Sequence, residues 1–344
     1  MHRIDQPTAV NTLPTPAAAG TPGYFSNATP GSGTPTIVDN DWCNDIQEEL
    51  ISILTAASVS PSKTTHNQVL TSLQALFAPI TGGRTKLSGS ADYYVATTGN
   101  DSNNGSSGSP WLTLQHAWNW IIQNIDTGGY SVTIHVADGT YGAGLTVSAP
   151  LVGGTTPTIV GNTTTPANCI ISTTSQSCFN VFNAPVTIGG FKVTSTGNHG
   201  VSVSGSGVVS INNAMEYGAC TSGNHLYCQN PGSAIEISSG GYKITGGALA
   251  HYASGFGATQ IFVAGQTVTL SGSLSFSNAF ANITDLCLLN CGGITFSGGT
   301  ITGKRFAVVN NGVINTGGGG ANYFPGNSAG TGTNSGTSPY GLYI

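Results

Sequence analysis

The chain has 344 residues, of which 50 are Gly and 16 are Pro, and only 6% are charged, giving a formal net charge of −5. No basic stripe is present to neutralise phosphates, so we expect no nucleic-acid partner. No apolar run approaches the roughly 18 residues that a membrane-spanning helix needs, so we expect no membrane insertion. A charged-then-apolar signal segment is absent, which predicts synthesis in a cytoplasm without classical secretion.

The chain has seven cysteines, an odd number. Synthesis in a reducing compartment also argues against a framework of disulfide bonds. We expect most of them to be small buried apolar side chains. Cys220 and Cys228, with His225 between them, could assemble a zinc site, as could Cys287 and Cys291. Both spacings depart from the common zinc-knuckle patterns, so we predict no metal and no other cofactor.

The first elements in chain order are an extended Pro/Gly-rich segment over residues 1–37 and a helical hairpin over residues 38–80. Asp39 or Asp41 can cap the first helix, and the capping-box spacing Thr65-x-x-Gln68 predicts the start of the second. The apolar face of the first helix consists of Trp42, Ile46, Leu50, Ile53 and Leu54. The hairpin is too short to bury a core alone, so its apolar faces require partners.

A linker over residues 81–90 precedes a strand, a polar loop and a third helix over residues 113–124. One side of this helix carries Leu114, Ala117, Trp118, Ile121 and Ile122, a face wide enough to cover the open end of a solenoid. We assign the tryptophans around it to a packed cap and not to sugar stacking. These are Trp111, Trp118 and Trp120.

Pairs of short aliphatic strands then recur through the second half of the chain, each pair split by a Gly, Ser or Asn turn. The second strands begin near Val186, Val208, Tyr242, Val268, Ile294 and Val313, which is about 25 residues per step. Apolar side chains alternate with Ser, Thr or Lys, so one face points inward and the other meets water. This pattern predicts an all-β chain whose residues 91–316 form a parallel β-helix solenoid, followed by a Gly-rich segment over 317–344. Leucine-rich repeats are the rival solenoid at this period, but the Leu and Asn residues that they require at fixed positions are absent.

Three stretches of the sequence carry resemblances to known protein families. Tyr94-Val-x-x-x-Gly-Asn-Asp-Ser-Asn-Asn-Gly and Ser109-Pro-Trp-x-Thr-Leu-Gln-x-Ala resemble the opening of pectate-lyase-like right-handed β-helix proteins, which include phage depolymerases and tailspikes. Arg3-Ile-Asp-x-Pro-Thr-Ala is similar to the N-terminal region of phage and prophage tail fibre proteins. The resemblance implies a right-handed parallel β-helix, a homotrimer, and attachment to the phage tail or baseplate through residues 1–85. It also implies a place in the virion tail after synthesis in the bacterial host cytoplasm.

The predicted recognition surface is the longest insertion between coils, residues 212–232, together with the next insertion at residues 249–256. Adjacent coils would place both on one flank. The candidate residues for binding a bacterial surface polysaccharide are Glu216, Tyr217, His225, Tyr227, Gln229, His251 and Tyr252. The alternative is that these aromatic side chains pack under their own loops or against a sister chain.

Catalysis on such a polysaccharide would need two carboxylates, and the candidates are Glu216, Glu236 and Asp285. If strands stack at about 4.8 Å per coil, Glu216 and Glu236 could stand at the separation that glycosidases use. Each could equally be a solvated surface carboxylate. A calcium-dependent lyase is disfavoured because acids are dispersed and Arg305 is the sole arginine of the coils. The leading hypothesis is therefore a glycan-binding tail fibre or tailspike subunit, and the alternatives are a depolymerase and a purely structural tail component.

Overall fold

A computed structural model describes residues 2–27, 33–77, 83–212, 214–238, 241–332 and 340–344. The chain divides into two compact units, Met1–Gly83 and Arg84–Ile344.

The first unit contains two packed helices, α1 (Asn40–Ala56) and α2 (Gln68–Phe77). Of the two residues predicted to cap α1, Asp39 is the N-cap, because its carboxylate accepts a hydrogen bond from the Trp42 amide at 2.9 Å. Helix α2 begins at Gln68, later than the predicted Thr65 cap implies. The Gln68 side chain instead bonds the backbone of the connection, donating to the Ser60 carbonyl and accepting from the Ser62 amide. The predicted end of this helix, before residue 79, lies outside the described residues.

Residues 2–27 and 33–37 contain no helix or strand, and polar contacts tie them to the helical hairpin. Arg3 forms a bidentate ion pair with Glu48, with both nitrogen–oxygen distances at 2.7 Å. Only part of the apolar surface of this unit is covered: Leu54 is fully buried, whereas Trp42 is 47% and Phe77 is 79% exposed.

In its described residues the second unit consists of short strands, one α-helix and one 3-10 turn. The strands are β1 (Thr85–Lys86), β2 (Ala91–Val95), β3 (Ile125–Asp126), β4 (Val132–Val136), β5 (Gly139–Tyr141), β6 (Leu145–Val147), β7 (Thr158–Val160), β8 (Cys169–Thr173), β9 (Phe179–Phe182), β10 (Pro185–Gly189), β11 (Lys192–Ser195), β12 (Val201–Ser204), β13 (Val208–Ile211), β14 (Met215–Cys220), β15 (Leu226–Gln229), β16 (Ala234–Ile237), β17 (Tyr242–Ile244), β18 (Tyr252–Gly255), β19 (Gln260–Val263), β20 (Thr267–Ser275), β21 (Ala281–Ile283), β22 (Leu288–Asn290), β23 (Thr295–Thr302), β24 (Phe306–Val308), β25 (Gly312–Asn315) and β26 (Gly341–Tyr343). Helix α3 spans Leu114–Asn124, and a 3-10 turn spans Pro166–Asn168.

Three parallel sheets run along this unit, and each coil adds one strand to each sheet in turn. Sheet 1 has ten strands (β2-β4-β7-β10-β13-β16-β19-β22-β25-β26), sheet 2 has seven (β5-β8-β11-β14-β17-β20-β23) and sheet 3 has seven (β6-β9-β12-β15-β18-β21-β24). The short strands β1 and β3 pair separately. The predicted fold class is confirmed as an all-β parallel solenoid of about eight turns, with its few helices near the N-terminus.

The core consists of columns of apolar side chains at equivalent positions of successive coils. One column in sheet 1 is aligned strand by strand and buried throughout: Ile134, Ile159, Ile188, Ile211, Ile237 and Val263. Each such side chain contributes about 1.5–3 kcal/mol of hydrophobic stabilisation. The alternation that predicted the strands thus also determines which side chains enter the core.

Helix α3 lies against β2, β3 and β6 and covers the N-terminal end of the solenoid, as predicted. Thr113 is its N-cap, with the hydroxyl accepting from the His116 amide. The Asp101 carboxylate orders this start, accepting from the Leu112 and Thr113 amides at 2.9 Å and from the Thr113 hydroxyl at 2.8 Å. The assignment of the tryptophans to a packed cap is confirmed: two are buried, and the third packs partly buried against the core.

The C-terminal segment extends the solenoid beyond the predicted boundary at residue 316. Strand β26 pairs with β25 in sheet 1, Phe324 is fully buried, and Tyr343 stacks on Phe306 with ring centroids 3.9 Å apart. Residues 333–339 of this predicted Gly-rich segment lie outside the described residues.

Six of the seven cysteines are buried, and all are free thiols; Cys43 is exposed. Burial raises the pKa of Cys169 and of Cys220 to about 12, so both are neutral thiols at physiological pH. The expectation that most cysteines fill the interior is confirmed.

Candidate functional site

The predicted insertion over residues 212–232 is instead an ordinary coil of the solenoid. Strand β14 joins sheet 2 and β15 joins sheet 3, each pairing in parallel with strands of the coils before and after it. The β11–β14 pairing shifts register once, between Val193 and Ser195. The second predicted insertion likewise contributes β18 to sheet 3. The polar and aromatic residues of these strands obscure the aliphatic alternation that marks the neighbouring coils, which is why the sequence resembles a loop.

Four of the residues predicted to bind glycan lie inside the coil. Tyr217, His225, His251 and Tyr252 are fully buried. The His225 and His251 Nδ1 atoms are 3.0 Å apart, and His251 Nε2 lies 2.9 Å from the Tyr242 hydroxyl, which in turn bonds the Tyr252 hydroxyl. These side chains do not reach a ligand on the outer surface. They pack inside the coil, which agrees with the alternative that the aromatic side chains serve packing and not glycan binding.

Burial also determines the charge of this cluster. Desolvation lowers the pKa of His225 to about 4. Desolvation, together with the neighbouring His225, lowers the pKa of His251 well below its ordinary value. Both imidazoles are therefore neutral at pH 7, and one Nδ1–H donates to the other Nδ1. The cluster is an uncharged hydrogen-bonded part of the core.

A cleft of about 380 Å³ opens on the outer side of sheet 2. Its wall includes the 3-10 turn, which packs on β8, β11 and β14. The lining residues are Pro166, Ala214, Met215, Glu216, Gly241, Tyr242, Lys243, Thr267 and Thr269. Among the predicted site residues, Glu216 alone lines this cleft.

A row of polar side chains crosses the sheet beneath the cleft. Lys192, Glu216, Lys243 and Thr269 occupy matched positions on β11, β14, β17 and β20. Lys192 Nζ lies 2.8 Å from Glu216 Oε1, and the Thr245 hydroxyl donates to the same oxygen at 2.8 Å. The parallel register thus places a carboxylate between two ammonium groups.

The environment of Glu216 keeps it ionised. Burial opposes ionisation, but hydrogen bonds from Lys192 and Thr245 and the charges of Lys192 and Lys243 outweigh it, so the pKa of Glu216 is below its ordinary value. A general acid needs a raised pKa near the working pH. The arrangement suits Glu216 to accepting hydrogen bonds from a ligand and not to protonating a leaving group.

The three candidate carboxylates lie in separate places. Glu216 is in sheet 2, exposed Glu236 is on β16 of sheet 1, and Asp285 is in the turn between β21 of sheet 3 and β22 of sheet 1. The Thr284 hydroxyl donates to Asp285 at 2.7 Å and the Asn310 amide at 2.9 Å, and both bonds lower the pKa of Asp285. Glu216 lies on strand β14, inside the segment predicted to be an insertion, and the structure does not place Glu216 and Glu236 on one sheet.

Tyr227 and Gln229 lie on β15 of sheet 3, both partly exposed, and therefore on a different sheet from the cleft. Tyr227 stacks on His199 with ring centroids 4.4 Å apart, and burial lowers the pKa of His199 to about 4. Lys192 and Lys243 were missed as site residues. Each lysine is separated from Glu216 by about one coil of sequence, and this spacing could have indicated that the three side chains are neighbours in one sheet.

Comparisons with known proteins give a partial match. Over 77 residues the chain is 43% identical to the uncharacterized protein StfP of Escherichia coli (strain K12). The match covers 22% of this chain and 35% of StfP, so it spans about a third of the relative's length. No protein-family model and no solved structure matches the chain.

No helix in the described part of the chain is long and apolar enough to cross a membrane. Within the same residues, no group of three or more His, Cys, Asp or Glu side chains is placed to hold a metal ion.

Proposed function

We propose that this chain is a subunit of a phage or prophage tail fibre or tailspike, and that the cleft on sheet 2 recognises a glycan of the host cell surface. The observation that carries the proposal is a cleft of about 380 Å³, lined by charged and hydroxyl side chains, on a rigid parallel solenoid. Such a volume lies within the roughly 300–1,000 Å³ range of small-molecule pockets.

The chemistry of the cleft suits a sugar. The Glu216 side chain is only 8% exposed and is fixed by Lys192 and Thr245. The part of its carboxylate that reaches the cleft can therefore accept a hydrogen bond from a sugar hydroxyl with little further loss of side-chain entropy. The hydroxyls of Thr267 and Thr269 line the same space and can donate or accept. The ring of Pro166 lines the same cleft and supplies an apolar surface.

The first unit suits attachment and assembly. Its exposed apolar residues include Trp42, Ile46, Leu70 and Phe77, and an uncovered apolar surface of this kind marks a protein contact. We propose that residues 1–85 attach the protein to the tail or baseplate and that the assembly is a homotrimer in the virion.

The arrangement favours binding over hydrolysis. A glycosidase needs two carboxylates flanking one bond, at most about 9.5 Å apart. The candidate acids Glu216, Glu236 and Asp285 occupy separate parts of the coil surface, and two of them already accept hydrogen bonds from neighbouring side chains.

The test is to incubate the purified protein with a panel of isolated bacterial surface polysaccharides and to follow binding and polysaccharide length by size-exclusion chromatography. We expect binding without shortening. Thr269→Trp, which fills the cleft from an exposed strand position, should abolish binding, whereas the matched control Glu236→Trp on sheet 1 should retain it. Shortened polysaccharide would overturn the binding assignment, and unchanged binding by Thr269→Trp would overturn the site.

A further inference from the structure

We infer that the cleft selects an acidic glycan, one whose sugars carry carboxylates, and that Lys243 pairs with the sugar carboxylate. This inference rests on the proposed glycan-binding function and specifies its ligand class.

The distribution of charge along the solenoid is the first observation. From Tyr130 to Ile344 the chain has only four bases, Lys192, Lys243, Lys304 and Arg305. Two of these four lie in the single polar row beneath the cleft, on either side of Glu216. In a surface with so few ions, this local concentration of positive charge determines the field that a ligand meets.

The second observation is that these two lysines differ in their partners. Lys192 is engaged with Glu216 at 2.8 Å and is mostly buried, with a side-chain exposure of 26%. Lys243 is exposed and, among the described residues, makes no ion pair. The row Lys192, Glu216 and Lys243 therefore carries one uncompensated positive charge, which belongs to Lys243.

The geometry assigns separate tasks to these groups. Glu216 and the threonine hydroxyls of the cleft can bond the hydroxyls that every sugar presents. The Lys243 ammonium, which has three donors and no acceptor, favours an anion. A carboxylate on the sugar ring supplies that anion while its neighbouring hydroxyls remain free to bond Glu216.

The test uses the full chain and three defined acidic polysaccharides: polygalacturonate, hyaluronan and alginate. Each is compared with its carboxyl-reduced form, in which the carboxylate has become a primary alcohol. We expect at least one acidic polysaccharide to bind, with its reduced form binding about two- to fivefold more weakly, as the loss of one exposed ion pair predicts. Raising the salt concentration from 50 to 500 mM, values that we choose for the assay, should remove this preference because exposed charge pairs are screened.

Two variants locate the effect. Lys243→Gln should bind the acidic and reduced forms equally, while the matched control Lys304→Gln should keep the preference; both should melt at the wild-type temperature. The inference is overturned if none of the three acidic probes binds, if the acidic and reduced forms bind alike, or if Lys243→Gln retains the preference. Different results would overturn the proposed function itself. These are no binding of the wild-type protein to any member of the bacterial polysaccharide panel, or unchanged binding by Thr269→Trp.

Discussion

Acidification to pH 5 should destabilise this protein strongly, because the solenoid keeps three imidazoles neutral. His225 and His251 lie in the core, and the His199 Nδ1 atom accepts a hydrogen bond from the Asn224 amide at 3.0 Å. A proton on that nitrogen would face an N–H donor. The pKa of His199 and of His225 is lowered by burial from 6.5 to about 4.

The sign of the effect follows from these pKa directions. Between pH 6.5 and 4 the unfolded chain binds protons that the folded chain does not, so the free energy of unfolding falls as the pH falls. Integrating this difference for His225 gives a loss of about 2 kcal/mol between pH 7 and pH 5. His251 and His199 add to the loss in the same direction. The lowered pKa of Glu216 or Asp285 removes stability only as the pH falls past their ordinary values of 4.5 and 3.8.

The assay is equilibrium urea unfolding of the full chain at a series of pH values from 8 to 4.5, a range that we choose to stay above carboxylate titration. We expect the loss of stability to begin near pH 6.5. His199→Gln, which can still accept the Asn224 hydrogen bond, should make the pH dependence shallower. The matched control His66→Gln replaces an exposed imidazole of the first unit and should leave the acid loss in place. Equal stability at pH 7 and pH 5, or a loss that starts only below pH 4.5, would refute the reasoning.

Further outcomes are expected for point variants, for a truncation and for the assembly state. Tyr217→Ala should lower the free energy of unfolding by about 3–5 kcal/mol because it opens a cavity in the core, whereas Tyr227→Ala should cost about 1 kcal/mol; equal costs in urea unfolding would contradict the burial difference. Tyr217→Phe should be neutral or stabilising by about 1 kcal/mol, since the buried hydroxyl has no hydrogen-bond partner among the described residues, and a clear loss of stability would reveal one. Asp101→Ala should destabilise by about 1–3 kcal/mol through the amides and hydroxyl it leaves unpaired, and an unchanged melting curve would exclude this role. Deleting residues 1–85 should leave a folded solenoid that no longer incorporates into tails, and sedimentation of the intact chain at micromolar concentration should show a trimer; continued incorporation, or a monomer, would refute those proposals.

The sequence alone determined the solenoid and its cap. Strand alternation with a period of two and a coil period of about 25 residues are local patterns, and only a parallel solenoid buries the apolar side of every copy at once. Helix α3 could also be predicted from the sequence, because its apolar face and its start at Thr113 lie within a dozen residues. These features depend on neighbours in the chain, so a single sequence is sufficient to predict them.

Only the tertiary structure decided which polar side chains face a ligand. His225 and Tyr217 look like binding residues in a polar, aromatic segment, yet each is fully buried and hydrogen-bonded or ring-packed across coils. Conversely, Lys192, Glu216 and Lys243 are far apart in sequence and adjacent only through strand register. A shift of one residue in a strand reverses the face of every side chain in it. Inward or outward orientation in an irregular coil therefore follows from its pairing with the coils before and after it, which the segment's own residues do not specify.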